Sequence, residues 1–172
     1  MPKFKSGTQG APAIIQAGEH AMALGALSAA WGELEYSLVV ALQFAARIEF
    51  YKAEIILFSL SNHRARRDIL AGLASTIKLS DVKSEYEALI ASIGPLATQR
   101  NVFTHASWLR DRDSGEIFIL NHKRPGDHQD RTRHVHAKEI LDLAVKIDTK
   151  AKEIVEFFVG VHASGRSQEA FS

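Results

Sequence analysis

The chain has 172 residues, enough for one domain with a proper core and too short for two ordinary ones. Hydrophobic residues make up 46% and charged residues 24%, which excludes disorder of the whole chain, and no apolar run approaches the roughly 18–20 residues that cross a bilayer. A formal net charge of +1 excludes a globally basic nucleic-acid binder, and the absence of cysteine excludes disulfides and thiolate metal sites.

Residues 1–12 carry Pro2, Gly7, Gly10 and Pro12 with little periodicity, so a flexible arm is expected there. Met1 to Lys5 is basic, but no apolar segment of the ~7–15 residues found in signal peptides follows it. A cytoplasmic protein without membrane contact is therefore the expectation. A long helix is predicted from about Ala13 to Ile48, because Leu24, Leu27, Trp31, Leu34, Leu38, Leu42 and Ala45 recur at spacings of three and four. A second helix is predicted from about Lys52 to Ile77, with Ile56, Leu60, Leu70, Ala74 and Ile77 on its apolar face and a polar interruption from Asn62 to Arg67. Ser80-Asp81 reads as the N-cap of a third helix that carries Leu89, Ile93, Leu96 and Phe103, with a kink or short break expected at Gly94-Pro95.

After Trp108 the period changes. Trp108 to Arg112 and Glu116 to Leu120 flank Asp113-Ser114-Gly115, which reads as a β-hairpin. A polar loop is expected from Asn121 to His134, with Pro125-Gly126-Asp127 as its turn signal. Ile140, Leu143, Ala144, Ile147, Ala151, Ile154, Val155 and Phe158 define a fourth helix over about Ala137 to His162, and a frayed tail follows over residues 163–172. These elements make an all-α fold: an antiparallel bundle of four main helices with a small β-hairpin inserted before the last.

Chemistry concentrates in the stretch Gln99-Arg100-Asn101-Val102-Phe103-Thr104-His105, near the end of the third helix. Asn101 and His105 are four residues apart and share a helix face, whereas Arg100 and His105 are separated by about 140° on an ideal helix. Arg100 falls on the stripe of Leu89, Ile93 and Leu96, where a charge needs a partner. Glu35 likewise interrupts the apolar side of the first helix, among Trp31, Leu38 and Leu42. A buried Glu35–Arg100 ion pair is the economical expectation, with Arg67, on the apolar side of the second helix, as the rival partner for Glu35. Such pairs fix helix register whether or not a site is present.

Arg100, Asn101 and His105, with four residues between Arg and His, resemble the signature of the HEPN family (higher eukaryotes and prokaryotes nucleotide-binding). The layout is also similar over roughly residues 15–160: a long first helix with Trp31-Gly32-Glu33-Leu34-Glu35, a second helix, the signature at the end of the third, and a closing helix. Arg131 to His136 repeats the spacing without the polar neighbour and in a predicted loop. The resemblance implies a single HEPN-like domain over residues 13–162 that works as a homodimer, with two copies of the signature meeting in one cleft. It implies a metal-independent endoribonuclease needing no cofactor, in a defence or toxin–antitoxin setting with a cognate antitoxin as partner. There, His105 would act as acid or base, Arg100 would hold the scissile phosphate, and Asn101 would orient either. The alternative within the family is a non-catalytic dimer that binds nucleotide or protein for a partner such as a minimal nucleotidyltransferase.

Two further features stand out. Arg110, Arg112, Lys123, Arg124, Arg131 and Arg133 could line an RNA-binding surface, although Asp111, Asp113, Glu116, Asp127 and Asp130 offset most of that charge. His122, His128, His134 and His136 could hold a metal in a regulatory protein of a different class; solvated loop histidines are the plainer reading, and no metal is expected.

Overall fold

The computed structural model describes residues 14, 17–121, 127 and 130–171. Among these the chain is mostly helical: α1 (Gly18–Ala46), α2 (Phe50–Ser59), α3 (His63–Leu73), α4 (Ser80–Thr104), α5 (Ala137–Ala163) and α6 (Ser167–Ala170), with a single 3-10 turn at Ala74–Thr76. A small sheet of β1 (Ser107–Arg110), β2 (Ile117–Leu120) and β3 (Thr132–His134) precedes the last long helix. The expected all-α bundle with an inserted hairpin is the architecture found. No described helix is long and apolar enough to cross a membrane.

The predicted elements are refined at four places. The single second helix is two, α2 and α3, because Leu60 turns extended (φ −82°, ψ 123°) and Asn62 caps a new helix by accepting the Ala65 N–H at 2.8 Å. The expected break at Gly94-Pro95 does not end α4, which runs through Pro95. The predicted loop contains β3, and the expected frayed tail contains α6, with Ala170 and Phe171 buried. The flexible-arm assignment for residues 1–12 lies outside the described residues.

Residue contacts group the chain into two units, one of residues 1–29 and 98–145 and the other of residues 30–97 and 146–172. In the first, Ala23 and Leu27 of α1, Phe103 of α4, Ile117 and Ile119 of β2, Val135, and Ile140 and Leu143 of α5 are buried. Its sheet has the order β1-β2-β3 with both pairings antiparallel, Leu109 opposite Phe118 and Phe118 opposite His134. Asp111 closes the first hairpin: its Oδ1 accepts the N–H groups of Asp113 (3.0 Å) and Ser114 (2.8 Å) and the Ser114 hydroxyl (3.1 Å). Gly115 completes this turn at φ 77°, a conformation that penalises any residue with a Cβ. From within β3, Arg133 bonds Glu139 at 2.6 Å, and the His136 N–H donates to the same carboxylate at 3.1 Å, tying the strand to the first turn of α5.

In the second unit, Leu34, Leu38 and Leu42 of α1 are buried along one stripe, as are Leu57, Leu70, Tyr86, Ile93, Ile154 and Phe158. Phe158 is the hub: its ring contacts Phe44 (5.4 Å), Tyr86 (6.0 Å), Phe157 (4.9 Å) and Phe171 (5.9 Å). The Tyr86 hydroxyl donates to the Leu70 carbonyl at 2.7 Å, and burial pushes its pKa well above the ordinary tyrosine value. α1 ends with Arg47 in the left-handed region (φ 54°), where the Ile48 N–H reaches back to the Gln43 carbonyl at 3.1 Å.

Candidate functional site

Arg100 and Asn101 lie in the last turns of α4, and His105 is the first residue beyond it. The His105 N–H donates to the Asn101 carbonyl at 3.1 Å, so helical spacing is kept for one residue past the end of the helix. Buried Phe103 anchors this turn from below, while Asn101 and His105 are exposed and Arg100 is half-buried. The Arg100 Nη1 donates to the Asn101 Oδ1 at 3.2 Å, and the Thr104 hydroxyl donates to the Arg100 carbonyl at 3.2 Å. The first of these bonds joins Arg100 to Asn101, and the shared helix face joins Asn101 to His105.

Chemically the trio offers a planar guanidinium for phosphate oxygens, an amide able to donate and accept, and an imidazole open to solvent. The Arg133 guanidinium lies 5.8 Å from the centroid of the Phe103 ring. Burial pushes the Glu139 carboxyl up, but the bond to Arg133, the His136 N–H and the nearby positive charges outweigh it, and the net shift is below the usual carboxylate value.

No family model, curated protein or solved structure matches the chain. Its chemistry must be read from its own residues.

Glu35 does pair with an arginine, but with Arg66 in place of the expected Arg100 or Arg67. Arg66 also donates to the Leu60 carbonyl at 3.1 Å and lies 5.0 Å from the Phe58 ring centroid. Arg67 instead approaches α4, where a Cβ built on Gly94 would meet its Nη1 at 2.5 Å, and it bonds Asp68 at 3.4 Å. The reason is rotational. Successive helical residues point about 100° apart, so only one of Arg66 and Arg67 can face Glu35.

Of the expected RNA-facing residues, Arg110 closes β1 and Arg112 lies in the following turn, both exposed, while Lys123 and Arg124 fall outside the described residues. His122 and His128 do as well. His134 and His136 are brought together, with ring centroids 4.4 Å apart and Phe118 5.2 Å from His134. No group of three or more described residues is arranged to hold a metal ion.

Sequence reasoning overlooked His20, which bonds the Val135 carbonyl at 2.9 Å and meets Trp108 edge-on at 6.4 Å. It also overlooked a groove where Glu33 and Tyr36 of α1 face Asp148, Lys152 and Glu156 of α5. The spacing of the last three, at successive steps of four, was the available signal.

Proposed function

We propose that this protein is a HEPN-like endoribonuclease that cuts RNA without a metal ion, in a homodimer whose two copies of Arg100, Asn101 and His105 share one cleft. The observation that carries the reading is the grouping of these side chains at the exposed end of α4, with Arg100 bonded to Asn101 and His105 on the Asn101 face. In the proposed reaction an imidazole takes the proton of a ribose 2′-hydroxyl. The 2′-oxygen attacks the adjacent phosphorus and displaces the 5′-oxygen, which takes a proton from the imidazolium of the second copy of His105, so that a 2′,3′-cyclic phosphate and a 5′-hydroxyl result. Arg100 holds the phosphate oxygens as negative charge builds. Asn101 keeps the guanidinium and the imidazole in register. A defence or toxin–antitoxin role, with a cognate antitoxin in the same cell, belongs to this reading.

The test is cleavage of a fluorescent single-stranded RNA in EDTA by the wild type, Arg100→Ala and His105→Ala. We expect cutting by the wild type and a loss of at least about a hundredfold in each folded variant, the usual scale for a general acid–base group. Wild-type protein that leaves several RNAs intact would overturn the enzyme reading. The second reading is then a non-catalytic module that binds nucleotide or protein for a partner such as a nucleotidyltransferase. The Arg100–Asn101 bond favours it, since a guanidinium and an amide held side by side also suit a recognition surface.

A further inference from the structure

We propose that the groove between α1 and α5 is a binding site for a linear aliphatic polyamine. This proposal is independent of the ribonuclease reading. The groove is open to solvent and offers about 550 Å³, within the range of small-molecule sites. Its floor is apolar, made by buried Ala151 and half-buried Val155. One wall is the ring of Tyr36, which is 53% exposed yet held by Phe50, whose ring centroid lies 5.4 Å away. An aromatic ring fixed in place and left open beside a groove offers its face to a cation.

The charged groups select the ligand's chemistry. Glu33, Asp148 and Glu156 line the groove against one cation, Lys152. That ammonium bonds Asp148 at 2.7 Å, while its side chain stays 68% exposed. The bond to Asp148 holds the Lys152 pKa above the usual lysine value, and Glu156 and Glu33 push the same way. The groove therefore already accommodates one alkylammonium of the chain's own and keeps two more carboxylates beside it.

Spacing favours a chain of amines over a single one. Asp148 and Glu156 are eight helical residues apart, about 12 Å along the axis, with Lys152 midway. An extended triamine with three- and four-carbon spacers has a comparable reach. Its methylene stems would lie on Ala151 and Val155 while one ammonium end meets Glu156 and Glu33 and the other takes the place of Lys152 at Asp148.

Spermidine is the probe, titrated calorimetrically into the intact chain at about 0.15 M salt, where diffuse attraction is screened beyond ~8 Å. Saturable binding of one spermidine per chain is expected. The Glu33→Gln/Glu156→Gln double variant should weaken it by roughly three- to tenfold, the scale of two exposed ion pairs. Lys152→Gln, which removes the internal competitor, should tighten it. Glu85→Gln/Glu87→Gln, on exposed positions of α4, should leave it unchanged. The proposal fails if spermidine does not saturate, if the α4 pair weakens binding as much as the groove pair, or if Lys152→Gln weakens it. All these positions are exposed, so the variants should fold as the wild type does.

Discussion

Arg47 ends α1 with a backbone conformation that suits glycine, and its exposed side chain makes no hydrogen bond or ion pair with a described residue. The left-handed region costs a residue with a Cβ about 1–2 kcal/mol, part of which a glycine returns through its more flexible unfolded chain. Arg47→Gly should therefore stabilise the protein by roughly 0.5–1 kcal/mol, read as a higher urea midpoint at an unchanged slope. A lower midpoint would show that Arg47 makes a contact that offsets its strain. Single residues were also where the sequence was hardest to read. The carboxylate of Glu35 stood out because it interrupts an apolar stripe, so the need for a cationic partner was legible. Which cation was not legible, because the choice of Arg66 over Arg67 depends on where α3 begins. That start is set by the extended Leu60 and the Asn62 cap, and the apolar periodicity carries no mark of either.

Elements were legible where many residues vote together. The long stripes of α1 and α5 declared those helices, and the alternation around Asp113-Ser114-Gly115 declared β1 and β2. β3 escaped because Thr132-Arg133-His134 has no apolar alternation; it becomes a strand by pairing with β2, a long-range property. α4 runs through Pro95 although a proline inside a helix removes a backbone donor and crowds the preceding turn, a cost that the packing of buried Ile90, Ile93 and Phe103 in the flanking turns offsets. α6 is short and polar, and it is held by tertiary bonds: the Lys78 N–H donates to the Ala170 carbonyl at 3.0 Å, and Arg166 bonds both oxygens of Asp81 at 2.7 and 2.8 Å. The bond from Arg166 holds the Asp81 carboxyl below the usual carboxylate value, against a smaller opposing effect of desolvation. A depressed pKa means that the contact stabilises above the unfolded value and is lost as pH falls through the folded one. The Ala170 methyl resonance should therefore shift toward its disordered position only as pH drops through and below about 4, the ordinary carboxylate value. Asp81→Asn should show that shifted position already at neutral pH. A methyl shift that ignores both acid and the substitution would mean that Phe171 packing alone holds the helix.

At the level of the whole molecule, helical class and element order were written in hydrophobic period, while assembly was not. Arg100, Asn101 and His105 could be read as a string, but the proposed cleft between two chains would depend on surfaces that periodicity does not describe. The self-closed turn at Asp111 has a further consequence, in time. The bonds that Asp111 makes to Asp113 and Ser114, and the ladder from β1 to β2, join residues close in sequence, so closure of the hairpin needs little loop entropy and can occur in microseconds, before distant helices meet. β3 and the first turn of α5 then add to a ladder that already exists. Asp111→Ala should on this account slow refolding by nearly the whole of its stability loss and leave the unfolding rate almost unchanged. If the loss appeared in the unfolding limb instead, the helices would be assembling first and the sheet would be the last part of the chain to find its place.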